Sequence, residues 1–427
     1  VGVGAAEAAS FNVTNLNDSG AGSLRQALLD ANGAAGPDVI TFQAGLTGTI
    51  VLTTGDIGIN DSVDIQGPGA AVLTVSGNNA SRIFYLYNSQ NTPIDVTISG
   101  LTLTAGADDD GGAIHVFGEV LELDEMVITE NVAQYQGGGV YFSANYVEAS
   151  GQFGQLTITD SEISGNHAED GGGVYVNYSG DPLLISNTTV SGNYAEDNGG
   201  GLALYSTTST VTITDSRIVD NDAYGVGGGI YLYDTDGGEV HVVRSTISGN
   251  EAGDDGGGIY FYDLDDSVVI DSSTISGNYS GDDGGGIYVR NEPQYLSIVN
   301  STISGNYADS RGGGIFLGQV SAEELTSIDH STITDNYAVD GGGGIYLYGS
   351  GVDLFHTIVS GNSTDGGDQD LDGANFFLSA DWSLLGDTPT PGSGANNIYY
   401  TNPGLESLAD NGGPTETHAP MSGSPAS

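Results

Sequence analysis

Three groups of residues in this sequence could do chemistry. The first is acidic and recurs just before a glycine tract: Asp109–Asp110, Glu169–Asp170, Glu196–Asp197, Asp254–Asp255 and Asp282–Asp283, with single acids at Asp309 and Asp340. Carboxylates brought into register at strand spacing repel one another. A hard cation that takes oxygen ligands relieves that repulsion, and calcium fits the donor set best. The candidate ligands are Asp170, Asp197, Asp254, Asp255, Asp282 and Asp283; the competing reading is a solvated acidic ridge. A separate stretch, Asp368-Gln369-Asp370-Leu371-Asp372-Gly373, has the alternating acids and sixth-position glycine of the front half of a calcium loop. Its twelfth position is Ser379 instead of Glu and no flanking helices are evident, so it is not an EF-hand.

The second group is aromatic. After each glycine tract a short run alternates, with Val174, Leu202, Ile230, Ile259, Ile287, Ile315 and Ile345 expected to point inward. The next residue should then point outward, and it reads Tyr141, Tyr175, Ala203, Tyr231, Tyr260, Tyr288, Phe316, Tyr346 along the chain. The following outward position adds Tyr205, Tyr233, Tyr262 and Tyr348. Two adjacent columns of exposed aromatics would make a contact surface for glycan or for a second copy of the protein. The alternatives are aromatic stacking within the sheet or cover by a loop.

The third group tests for catalysis. Polyuronate β-elimination needs a base, commonly Lys or Arg, but lysine is absent and Arg82, Arg217, Arg244, Arg290 and Arg311 fall singly. Arg290 alone lies in the aromatic strands and is the base if there is one. An inverting hydrolase would need two separated carboxylates, one of raised pKa. The acid pairs here follow the repeat, whereas a catalytic group should interrupt it. No catalytic residue is assigned. His115, His167, His241, His330, His356 and His418 share no spacing and read as surface or turn positions.

What must position these groups is a repeat. The phrase Ser-Thr-Ile-Ser-Gly-Asn-Tyr-Ala recurs with variations, its Asn at 131, 166, 193, 221, 250, 278, 306, 336 and 362, at intervals of 26 to 35 residues. Each unit alternates with period two and has no helical stripe, so it is a set of short strands separated by Gly and Asx turns. Such a unit cannot bury its apolar face alone and must stack. The expected fold is all-β, a right-handed parallel β-helix with three strands per coil, an Asn ladder and glycine corners. Ser23–Gly33 is the one convincing helix, with Leu24, Ala27, Leu28 and Ala31 on one face, placed as a lid over the first coil. The expected segments are 1–37, the N-terminal region and capping helix; 38–105, irregular coils; 106–362, regular coils; and 363–427, an irregular C-terminal cap.

Composition bounds the partners. The chain of 427 residues carries 56 acids against 6 bases, a net charge of −50, and no cysteine. So few cations cannot neutralise a run of phosphates, which excludes nucleic acid and attachment to anionic lipid. No apolar run is long enough to span a bilayer, and thiol chemistry is impossible. The opening at Val1, without a basic and apolar leader, is read as that of a mature or trimmed chain.

Asn12-Val-Thr-Asn-Leu-Asn-Asp-Ser-Gly-Ala-Gly-Ser-Leu-Arg-Gln-Ala-Leu-Leu-Asp-Ala-Asn, then Ile40-Thr-Phe, Ile65-Gln-Gly-Pro-Gly-Ala and the closing Asn402-Pro-Gly-Leu-Glu-Ser-Leu-Ala-Asp-Asn-Gly-Gly-Pro, resemble secreted bacterial β-helix proteins. These are of the polymorphic-outer-membrane-protein-like or choice-of-anchor Q domain type. The resemblance implies a secreted or cell-surface location and an adhesive or structural role. The expected function is thus a non-enzymatic extracellular β-helix, stabilised by calcium and able to self-associate, with copies of itself or surface glycan as partners. The alternative is a calcium-dependent polysaccharide lyase or glycoside hydrolase.

Overall fold

The computed structural model describes residues 8–88, 92–144, 154–235, 237–264, 266–291, 295–319, 326–387, 389, 392–399 and 402–426. They form two compact units, Val1–Tyr194 and Ala195–Ser427, built from the same coil. Among the described residues no helix is long and apolar enough to cross a membrane.

A regular coil holds four strands, one more than expected. In the second unit one coil runs through Val240–Val243, Thr246–Ser248, Glu251–Ala252 and Ile259–Leu264, and the next begins at Ser267–Asp271. Each strand pairs in parallel with its equivalent in the next coil, as in Val240–Val243 with Ser267–Asp271 and Thr246–Ser248 with Thr274–Ser276. The coil therefore has four walls, here numbered first to fourth in chain order. The third wall was missed because a two-residue strand carries no readable alternation.

Register puts like on like. In the second wall Ile247, Ile275, Ile303 and Ile333 are consecutive partners, all fully buried. In the fourth, Ile230, Ile259, Ile287, Ile315 and Ile345 align in the same way. Each buried aliphatic side chain contributes about 1.5–3 kcal/mol, and together they fill the coil interior.

The corner between the second and third walls is held by side-chain amides. Asn250 sends both its backbone N–H and its Nδ2 to Asn278 Oδ1, at 3.0 and 2.9 Å, while Nδ2 also donates to Ile218 O at 3.0 Å. Asn278, Asn306 and Asn336 repeat the pattern toward Asn306, Asn336 and Asn362. In the first unit Asn131 and Asn166 do the same toward Asn166 and Asn193. Asn suits the place because one short side chain both donates and accepts. A hydroxyl ladder lines the corner before the second wall, with Ser245 N, Ser273 N and Ser301 N donating to Ser273, Ser301 and Ser331 Oγ at 3.1 Å.

The glycine tract is the corner before the fourth wall. Gly256 sits at φ +71°, and a Cβ on Gly257 or Gly258 would meet Tyr279 O at 2.2 Å or Gly286 O at 2.5 Å. Left-handed backbone and close approach both require glycine.

The capping helix α1 is Leu24–Ala31, with Ser23 as N-cap accepting from Gln26 N at 3.2 Å and Leu24, Ala27, Leu28 and Ala31 buried. It packs on strands Ser10–Val13, Asp38–Phe42 and Ile57–Ile59. The C-terminal segment does more than close the last coil. It runs back along the second unit, where Thr274 Oγ1 donates to Glu416 O at 2.6 Å, Thr415 Oγ1 to Ser272 O at 3.3 Å, and Ser304 Oγ meets His418 Nε2 at 2.8 Å.

Replacing Asn278 by Ala takes the acceptor from the buried Asn250 N–H and the Nδ2 donor from Ile247 O, so a loss of about 3 kcal/mol is expected. Urea unfolding measures it; the exposed Asn291→Ala should stay within about 0.5 kcal/mol.

Candidate functional site

The aromatic residues of the fourth wall do point outward, yet the inner column is not exposed. Tyr175, Tyr260 and Phe316 are 3, 3 and 4% exposed, and Tyr141 and Tyr231 are also buried. The rings cover each other. Tyr260–Tyr288 and Tyr288–Phe316 lie 4.9 and 4.8 Å apart and near parallel, with Tyr231 and Tyr346 extending the stack at 5.6 and 5.5 Å. Tyr141 and Tyr175 stack at 5.6 Å in the first unit. The expectation of two solvent-facing columns is corrected to one. Coil spacing is close to ring-stacking distance, so like rings in register collapse onto one another. The outer column is the one that reaches solvent most: Tyr233 and Tyr262 stack at 4.8 Å and Tyr348 is 44% exposed, while Tyr288 and Tyr346 of the inner column are half-buried.

That outer column is interrupted at one place. Pairing of strands Ile230–Thr235, Ile259–Leu264, Ile287–Asn291, Ile315–Gln319 and Ile345–Tyr348 aligns Tyr233, Tyr262, Arg290, Gly318 and Tyr348. The Arg290 guanidinium lies on the Tyr262 ring at 4.7 Å and hydrogen-bonds Tyr260. Gly318 leaves a gap, and around it opens a cleft of about 520 Å³ lined by Asp283, Tyr288, Arg290, Asn291, Arg311, Phe316, Gly318 and Tyr348.

Arg311 is the second interruption. It occupies the corner position held by Asp255 and Asp283 in the two preceding coils, since Gly256 N bonds Asp283 O and Gly284 N bonds Arg311 O. Its guanidinium pairs with Asp283 at 2.6 Å and covers Phe316 and Tyr346 at 5.3 and 5.1 Å. Two arginines that fall singly in the sequence thus meet in one cleft. Their separation of 21 residues conveys nothing until the corner and strand registers are known.

The acids of the regular coils come together only in part. Ligand oxygens of Asp255, Asp282 and Asp283 lie within 4.8 Å of one another, with Asp254 stacked below Asp282 through the bond from Asp282 N to Asp254 O. Burial, followed by the charges of Asp283, Asp282 and Asp254, pushes Asp255 up to about 7. Burial raises Asp283 as well and outweighs its bond to Arg311. Asp197 is separated from Asp254 by Gly225 in the same column. Asp170 belongs to the first unit, bridging in parallel to Gln136.

The calcium-loop reading of 368–373 is corrected. Asp370 is 2% exposed and terminates the Asn ladder: its Oδ1 accepts from Asn362 N and Nδ2 at 2.7 and 2.8 Å, and its Oδ2 from Asp387 N at 2.8 Å. Asp372 instead aligns with Tyr346 on the outer face of the fourth wall. The side chain of Asp368 lies outside the described residues.

A family model described as a right-handed β-helix region matches residues 69–266 and 253–378. The chain belongs to the right-handed β-helix family. No curated protein matches it. Among solved structures, this β-helix is similar to ORF18 of Geobacillus virus E2, at 12% identity and a TM-score of 0.32, covering 87% of this chain. It spans 61% of that protein's length. The A-module of the Azotobacter vinelandii mannuronan C-5 epimerase AlgE6 matches at 14% identity and a TM-score of 0.36, over 92% of this chain and 96% of that one. A mannuronic-acid-specific polysaccharide family 6 lyase from human gut microbiota matches at 9% and 0.35, over 92 and 91%.

The raised Asp255 gives this β-helix a pH signature. A carboxylate held at about 7 when folded, from an ordinary 3.8, contributes stability below 3.8 that is lost as pH rises through 7. Asp255→Asn should therefore match the parent's melting temperature at about pH 4 and exceed it at about pH 8. Scanning calorimetry across that range checks the sign.

Proposed function

We propose that this β-helix is a non-enzymatic extracellular structural or adhesive protein that binds surface glycan in the Arg290 cleft. The observation that carries the reading is the protonation of the lining. Arg290 is a cation at neutral pH, and its side-chain bond to Tyr260 raises its pKa further. Burial pushes Tyr260 up to about 12 and raises Tyr288 further. The acid on the wall, Asp283, is tied to Arg311. The arginines and the phenols therefore offer hydrogen-bond donors to the cleft at neutral pH, while both oxygens of Asp283 accept from Arg311. Tyr348 offers a ring face, and Arg290 and Asn291 offer donors, which is sugar-binding chemistry.

Calcium is proposed at Asp255, Asp282 and Asp283, where a divalent ion would neutralise the most crowded carboxylates. Ionised Asp255 is needed for it, so calcium should raise the melting temperature more at about pH 8 than at about pH 5. Differential scanning fluorimetry with and without chelator reads this directly; an equal shift at both pH values, or none, removes the proposal.

Self-association through the remaining exposed aromatics and a secreted or cell-surface location complete the reading. The second reading, a polysaccharide lyase or hydrolase, is favoured by one observation: Arg290, Arg311 and Gly318 interrupt the repeat together, as a catalytic site would. Glycan arrays and product analysis on uronate and neutral polysaccharides decide between them. Binding weakened at least about tenfold by Arg290→Ala, without new reducing ends or unsaturated products, supports adhesion; turnover lost in that variant supports the enzyme.

A further inference from the structure

The turn between the first and second walls repeats one backbone conformation, with a single residue in the left-handed region. In successive coils of the second unit that residue is Asp215, Arg244, Ser272, Asn300, His330, His356 and Trp382, at φ between 46° and 55°. Backbone bonds hold the turns in register, His330 N to Phe355 O at 3.0 Å and His356 N to Asp381 O at 3.1 Å. Side chains at this position form a surface column, in which Arg244 pairs with Asp215 at 2.6 Å.

Two imidazoles meet further along it. The rings of His330 and His356 lie 4.7 Å apart at 28°. Asp329 brings its Oδ1 to 2.7 Å from His330 Nδ1. That oxygen is shut off from solvent and pairs with His330 only in the tautomer that carries the proton on Nδ1. In the other tautomer the buried oxygen faces a bare ring nitrogen, which is costly unless a cation sits between them. One ligand atom from each of Asp329, His330 and His356 already lies within 4.8 Å of the others.

We infer that Asp329, His330 and His356 form a binding site for a divalent transition-metal ion of the zinc and nickel class. Two imidazole nitrogens and one carboxylate oxygen are the donors such ions take, whereas calcium takes oxygen alone. The cation would take the place of the proton between Asp329 and His330 and draw the two turns together. Three protein ligands leave coordination positions open to water or to a group on another molecule. The site is distinct from the Asp255 cluster in both place and donor type.

Trp382 makes the test direct. It is the single tryptophan of the chain, stands one turn beyond His356 with ring centroids 6.4 Å apart, and is exposed. Nickel added to the full chain in excess calcium should quench its fluorescence saturably, and zinc should displace the nickel. His330→Asn and His356→Asn, separately, should each raise the nickel midpoint at least about tenfold, with the zinc affinity measured by calorimetry falling in parallel. Asn is the substitution of choice because Asn300 occupies the same left-handed turn one coil earlier, so both variants should fold. Midpoints that neither variant moves, quenching reversed by calcium, or the absence of saturable binding would each overturn the assignment.

Discussion

A buried amide that is donor and acceptor at once sets the geometry of everything else in this protein. Each Asn of the ladder fixes its own coil against the next through two bonds to one oxygen, and the bond it returns to a preceding strand ties wall to corner. A slip of one residue would turn a whole strand's side chains over. With the amide as a pin, coils of 26 to 30 residues between Asn193 and Asn362 differ in their loops and keep the same walls. The ladder ends on a carboxylate, Asp370, whose second oxygen accepts from Asp387 N.

Once register is pinned, surface chemistry comes in columns, and like groups meet at coil spacing. For aromatic rings that spacing is attractive, worth about 0.5–1.5 kcal/mol per pair, and the inner aromatics become a continuous stack. For carboxylates it is repulsive, and Asp255, buried and then crowded by three acids, holds its proton toward neutrality. The same constraint explains why a cation appears where it does. Arg311 replaces the next acid of the corner and neutralises Asp283, so the acidic column stops where the cleft starts.

Much of the fold was legible because its determinants are local and repeated. The Asn interval, the alternating strands, the glycine corners and the helix before the first coil could all be read from residues within one repeat. The third strand of each coil could not, since Glu251–Ala252 and its equivalents are too short to show a period. What a column does also escaped, because exposure depends on the neighbouring coil: Tyr260 reads as outward, and is sealed by Tyr231 and Tyr288. His330 and His356 share no obvious spacing because the coil they bound is shorter than its predecessor, Asn336 to Asn362 spanning 26 residues against 30 from Asn306 to Asn336.

A solenoid of identical coils makes ridges, so a cavity needs an exception that the backbone itself enforces. Gly318 is that exception. A Cβ there would fall 2.2 Å from Arg290 O and 2.7 Å from Val289 O, so no side chain fits unless strand Ile287–Asn291 moves. The close approach that demands glycine also removes the ring that Tyr262 and Tyr348 supply on either side. Arg290 can lie over Tyr262 and still face the cleft, because Gly318 puts no side chain on its other flank. The cleft is therefore a consequence of strand packing, and its floor is as rigid as the sheet, which suits a site that holds a ligand in place without reorganising.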